Sequence, residues 1–127
     1  MEMINDKTGQ FNSRTAGKAG EARACMFLEE QGFKILETNF YAGRYGEIDI
    51  VALKDKLLVF AEVKSRSNEK YGGGIYSITE KKKKSLRRAA GFYLVKNSIY
   101  DSKDYTIRFD LILVENGEIT LVDDILR

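Results

Sequence analysis

Histidine is absent from this chain of 127 residues, and cysteine occurs once. The first absence removes Ser-His-Asp and Cys-His triads, histidine general acids, HExxH zinc sites and two-cysteine-two-histidine fingers together. Any chemistry must run on carboxylates and lysines, and carboxylates are hard donors that suit magnesium or manganese rather than zinc. Cys25 has no partner for an internal disulfide and sits at helical spacing among alanines and leucines, so it reads as a small core residue in a reducing compartment. No apolar run approaches the roughly 18 residues that cross a bilayer, and Glu2, Asn5, Asp6 and Lys7 leave no apolar core for a signal peptide. A cytoplasmic protein without a membrane partner is the expectation.

What is present is enough for one core. The hydrophobic share is 43% and the aromatic share 11%, which fits a single domain over residues 13–127 preceded by a loose, polar tail over residues 1–12. Net charge is only +2, so the chain as a whole argues weakly for a polyanionic partner. The distribution of charge argues better: Lys81 to Arg88 reads KKKKSLRR, six cations in eight residues with no acid between them. Six cations cannot share one helix face, so about half are free to meet phosphate.

Periodicity sets out the elements. SRTAGKAGEARACMFLEEQGF predicts a helix over 14–31, with Ser or Thr as a cap and Gly32 as its terminator. Its apolar stripe of Ala24, Cys25 and Leu28 also takes in Glu21, which either lies at the stripe's edge or pairs with Lys18. A strand over 33–40 and a loop, YAGRYG, lead to two strands, 47–53 and 58–64, joined as a hairpin. LLVFAEVK is apolar on both faces, the mark of a central strand covered on both sides. A glycine-rich loop over 65–76 is expected to be mobile. Ser77 and Glu80 have capping-box spacing and open a second helix to about Lys96, its inward stripe being Leu86, Ala89, Ala90, Tyr93 and Leu94. Strands over 105–115 and 118–122 follow, joined by Asn116-Gly117, a strong hairpin signal. The order is αβββαββ.

Two carboxylates stand where strands usually bury something apolar. If Leu53 faces Leu58 at the hairpin, Val51 faces Phe60, Asp49 faces Glu62 and Glu47 faces Lys64. Opposed, half-buried carboxylates repel, so a compensating charge is needed: Lys64 supplies one and a divalent cation supplies more. A helix Glu, a strand Asp and a Glu-x-Lys on the next strand form the set that metal-assisted phosphodiester hydrolysis requires. The plainer reading of the same residues is a buried ion network with no catalytic role.

Glu21, GEID at 46–49, EVK at 62–64, the lysine-rich helix and RFD at 108–110 resemble the bacterial YraN-type uncharacterised family, from about Thr15 to the C-terminus. That resemblance implies a restriction-endonuclease-like PD-(D/E)xK fold, an α/β architecture with a central mixed sheet flanked by helices, similar to archaeal Holliday-junction resolvases. It implies a catalytic set of Glu21, Asp49, Glu62 and Lys64, with Mg²⁺ or Mn²⁺ held by Asp49, Glu62 and the Val63 carbonyl. The family often carries Gln after the helix lysine, whereas Lys82 here is followed by Lys83.

The expected function is therefore metal-dependent, endonuclease-like hydrolysis of DNA, of branched or junction form. Arg44, Arg66, Lys81, Lys82 and Arg87, with Lys83, Lys84 and Arg88 beside them, are the expected nucleic-acid contacts. The alternative is a nucleic-acid-binding module without turnover, and a third reading is a scaffold with an internal ion network. The sequence leaves open DNA against RNA and whether two copies pair as a homodimer.

Overall fold

The structure, a computed structural model, describes residues 13–66 and 78–126. Helix α1 (Ser13–Glu30) is followed by β1 (Lys34–Tyr41), a 3-10 turn at Gly43–Tyr45, β2 (Glu47–Lys54) and β3 (Leu57–Arg66). Then come α2 (Glu80–Lys96), a 3-10 turn at Ser98–Tyr100, β4 (Thr106–Glu115) and β5 (Glu118–Val122). The expected order of helices and strands holds, with ends shifted by a residue or two. The expected cap Ser77, the tail over residues 1–12 and most of the glycine-rich loop lie outside the described residues. Thr79 is the residue that caps α2, its hydroxyl accepting from the Lys82 amide at 3.1 Å.

Five strands form one open, mixed sheet in the order β1-β2-β3-β4-β5. β3 and β4 are parallel, as the α2 crossover between them requires, and the other neighbours are antiparallel. The turns have local causes. Gly32, at φ 96°, ends α1, with the Phe33 amide donating back to the Leu28 carbonyl at 2.9 Å. Asn116 and Gly117 are both at positive φ, the geometry that a two-residue hairpin between β4 and β5 needs.

Each sheet face carries its own core. Leu58 and Phe60 of β3 pack with Phe40, Val51, Ala89, Ala90 and Tyr93 beneath α2. Val59 and Ala61 of the same strand pack with Ala24, Leu28, Ile50 and Ile112 beneath α1. That alternation is why β3 reads as apolar throughout, with side chains buried in the core beneath each helix. Among the described residues, no helix is long and apolar enough to cross a membrane. Cys25 is half-buried against the α1 core, and burial, with Glu29 and Glu21 nearby, pushes its thiol above the ordinary range, so it is a packing residue rather than a nucleophile.

At the far edge, Asp110 is buried on β4 and receives two Arg108 bonds of 2.8 Å each together with the Asp124 amide at 3.0 Å. The bidentate geometry satisfies a carboxylate that would otherwise be costly to bury, and it fastens the C-terminal segment to the sheet.

Gly20 sets how closely α1 approaches β3. A Cβ at Gly20 would run into the Ser65 hydroxyl, whereas one at Gly17 would meet nothing within 4 Å. Replacing a helical glycine by alanine normally gains up to about 1 kcal/mol, and overpacking a tight contact loses about 1–3 kcal/mol. Gly17→Ala should therefore raise the melting temperature and Gly20→Ala should lower it. Thermal melts that move in the same direction for both variants would show that the α1–β3 contact is not set at Gly20.

Candidate active site

The sheet forks at one end, and the functional candidates gather in the fork. β2 and β3 pair from Lys54–Leu57 to Ile50–Ala61 and no further. β2 continues alongside β1 to Glu47–Tyr41, while β3 continues alongside β4 to Arg66–Glu115. The expected register is the one observed, but it stops short of the acidic pair. Asp49 does not face Glu62 as a cross-strand partner, and Glu47 lies across from Tyr41 rather than Lys64. The reason is a side chain: Asp49 Oδ2 accepts the Val63 amide at 2.8 Å, replacing the backbone bond that would have continued the ladder.

β2 turns over at this point. Ile48 packs in the α2 core and Ile50 in the α1 core, although residues two apart on a regular strand share a face. Opposite, Asn39 takes a left-handed φ of 52° between the pairs Thr38–Ile50 and Phe40–Ile48. Asn tolerates that conformation better than most residues. Its amide donates to Glu21 Oε1 at 3.0 Å, so the kink in β1 is what fixes the α1 carboxylate. Glu21 thus pairs with neither solvent alone nor Lys18. It shares with Gly17, Lys18, Asn39 and Glu47 the lining of a cavity of about 430 Å³.

Glu62 is only 4% exposed and lies on the α2 side of β3. Two ammonium groups reach its Oε2, Lys64 at 3.6 Å and Lys82 at 3.5 Å. Lys82 was expected on phosphate; the structure places it on a carboxylate, because position 82 sits one turn before the buried Leu86 and shares its inward face. Arg44, Lys81 and Arg87 are exposed, as phosphate contacts would have to be, while the Arg66 side chain lies outside the described residues. Neither Asn39 nor the fork was read from the sequence. An asparagine inside a β-branched and aromatic run was the available signal.

The electrostatic consequence falls on Asp49. Burial pushes its carboxyl up to about 7 from an ordinary 3.8, the Val63 amide opposes that, and the charges of Glu62 and Glu21 add to it against Lys82. Hard oxygen donors are concentrated here, yet among the described residues no three acidic side chains stand ready-made as a metal cage. Two carboxylates with open positions remain a fit for a magnesium-like ion, which keeps several waters and takes phosphate oxygens from its substrate.

Because the native carboxyl of Asp49 titrates near 7 and the unfolded one near 3.8, its contribution to stability is complete below pH 4 and is lost as pH rises through 7. Ionised Asp49 therefore works against the fold in the metal-free protein. Asp49→Asn keeps an oxygen for the Val63 amide and removes that charge. Melted in chelator, the variant should gain steadily on wild type as pH rises from about 4 to 7 and hold that gain, about 1 kcal/mol or more, at pH 8.5. Parallel pH profiles for the two proteins would assign the strain elsewhere.

Known proteins place this chain in a family. It is 47% identical over 115 residues to a UPF0102 protein of Helicobacter hepaticus, covering 91% of this chain and 97% of that one. A UPF0102 protein of Acetivibrio thermocellus is 44% identical over 112 residues, 87% of this chain and 84% of the relative. One of Aliarcobacter butzleri is 40% identical over 113 residues, 89% and 97% respectively. The family model described as uncharacterised protein family UPF0102 matches residues 20–114, a span that contains the whole fork from Glu21 to Lys82. The chain belongs to the UPF0102 family.

Proposed function

We propose that this protein is a metal-dependent phosphodiester hydrolase of the PD-(D/E)xK, restriction-endonuclease-like kind, acting on DNA of branched or otherwise non-duplex form. The observation that carries the reading is Asp49, a carboxyl held among Glu62 and Glu21 at a fork of the sheet and pushed up to about 7. Such a group destabilises an empty fold and gains when a cation arrives. The Val63 amide accounts for an acceptor at position 49, but an uncharged amide side chain would serve it equally, which makes the acids hard to explain by packing alone.

Asp49, Glu62 and the Val63 carbonyl are the groups that would hold Mg²⁺ or Mn²⁺. On a β-strand, a residue's N–H and C=O point to the same side. The Val63 amide already points at Asp49, so the Val63 carbonyl faces the fork as well. A bound ion would lower the pKa of water and offset charge on the phosphate. Glu21, oriented by Asn39, lines the neighbouring cavity together with Glu47. Lys64 has a side chain 43% exposed and ends beside the acids, where it can orient or deprotonate the attacking water and steady the developing phosphate charge. Lys82 sets a positive charge 3.5 Å from Glu62.

A second reading, a nucleic-acid-binding module without turnover, draws on the same ion pairs. With Lys64 and Lys82 both on Glu62, the buried acid is already compensated from within. Lys64→Met separates the two readings. As a hydrolase, the variant should fold and bind DNA nearly as wild type while cleaving about 100-fold more slowly or worse under manganese. The measurement is cleavage of branched, single-stranded and duplex substrates, with binding and melting as controls. Wild-type protein that binds branched DNA but cuts no substrate with manganese would promote the binder.

A further inference from the structure

Away from the fork, the outer face of α2 carries an arrangement that none of the proposed chemistry uses. Lys81, Lys84, Arg88 and Phe92 follow one another at helical spacing, and all four are exposed. Phe92 is 46% exposed and meets Tyr45 edge-on, ring centroids 5.8 Å apart at 88°. Two guanidinium groups lie against the same tyrosine ring, Arg44 at 5.4 Å and Arg88 at 5.6 Å. Arg44 also donates to the Tyr45 hydroxyl at 3.4 Å. Neither arginine has a carboxylate partner among the described residues. Both lie against an aromatic ring, and no acid among the described residues pairs with their charge.

We propose that Phe92, Tyr45, Arg44 and Arg88 form a stacking platform for an unpaired base, so that the DNA reaching the fork carries a single-stranded segment. The inference rests on the hydrolase reading for its choice of DNA and deepens it by naming the form. Aromatic faces and guanidinium planes stack on bases without sequence preference, and uncompensated arginines beside them track phosphates. The platform also adjoins the fork in the chain. Tyr45 stands two residues before Glu47, which lines the cavity, and Arg88 is six residues beyond Lys82, about 9 Å along the helix. A strand lying along α2 covers that distance with about three stacked nucleotides.

Charge favours this occupant over a second copy of the chain. Phe92, Val95 and Ile99 do leave apolar surface, but the stripe continues into Lys81, Lys84 and Arg88, cations that two apposed copies would set close together. A nucleic acid answers both halves of the stripe.

The test measures binding in chelator, so that no cleavage intrudes. Fluorescence anisotropy would compare a labelled oligothymidine, the same strand with abasic sites, and a duplex of equal length. Phe92→Ala, at a position 46% exposed, should remain folded with at most a small drop in melting temperature, weaken the single strand at least fivefold and change the duplex less than twofold. Arg88→Lys keeps the charge and loses the plane, and should weaken the single strand two- to threefold. Abasic sites should weaken wild type and leave Phe92→Ala little affected. Equal losses on single strand and duplex, no loss at all, or wild type that ignores single strands would overturn the platform. So would sedimentation showing a wild-type dimer that Phe92→Ala converts to monomer. Cleavage under manganese, measured separately, bears only on the hydrolase reading.

Discussion

Where β2 and β3 part, the Val63 amide goes to the Asp49 carboxylate instead of to a backbone carbonyl. A buried amide must find an acceptor, so once the ladder ends at Ile50–Ala61 some other oxygen has to serve. Using a side chain for this frees β2 to turn over and follow β1, while β3 keeps its parallel partner β4. The fork follows from that exchange, and the Asn39 kink beside it brings Glu21 to its edge. An apolar residue at position 49 would leave the amide orphaned, and a backbone pairing in its place would close the gap.

The same exchange places two acids in unlike surroundings. Glu62, more deeply buried, is met by Lys64 and Lys82, whereas Asp49 has one amide and the charges of two neighbouring acids against it. Both lysines form their ion pairs with Glu62, so the two acids differ in the charge set beside them. That asymmetry is what distinguishes the fork from the Arg108–Asp110 pair on β4, where a fully buried carboxylate is satisfied on both oxygens and keeps no capacity for a ligand.

Much of this was legible in the sequence, and the limits have physical causes. The hairpin register followed from alternation and the short turn, so Val51 was correctly set against Phe60. The two-faced apolarity of β3 announced a central strand, and the stripe from Leu86 to Tyr93 announced the buried side of α2. The end of the ladder was not legible, because alternation says which face a residue takes and not how far pairing continues. Asn39 passed unnoticed since its role depends on a left-handed kink and on a helix eighteen residues earlier in the chain. Lys82 was one of six cations in a run, and only the helix phase relative to the sheet tells it from Lys81.

That phase links the packing of α2 to the chemistry of the fork. Ala89 and Ala90 let the helix lie close to the sheet, and Tyr93 then meets Phe40 and Phe60 edge-on at 5.2 and 5.6 Å. Those contacts sit about three turns beyond Lys82, and a helix is stiff over such a length. The rotation that buries Tyr93 is therefore the rotation that turns Lys82 toward Glu62 and leaves Lys81, Lys84 and Arg88 facing outward. The two aromatic contacts of Tyr93 thus settle both which lysine reaches the buried acid and which cations face outward. A helix rolled by one residue would exchange Lys82 for Lys81 or Lys83 at Glu62, and would turn the small residues away from the sheet that they allow it to approach.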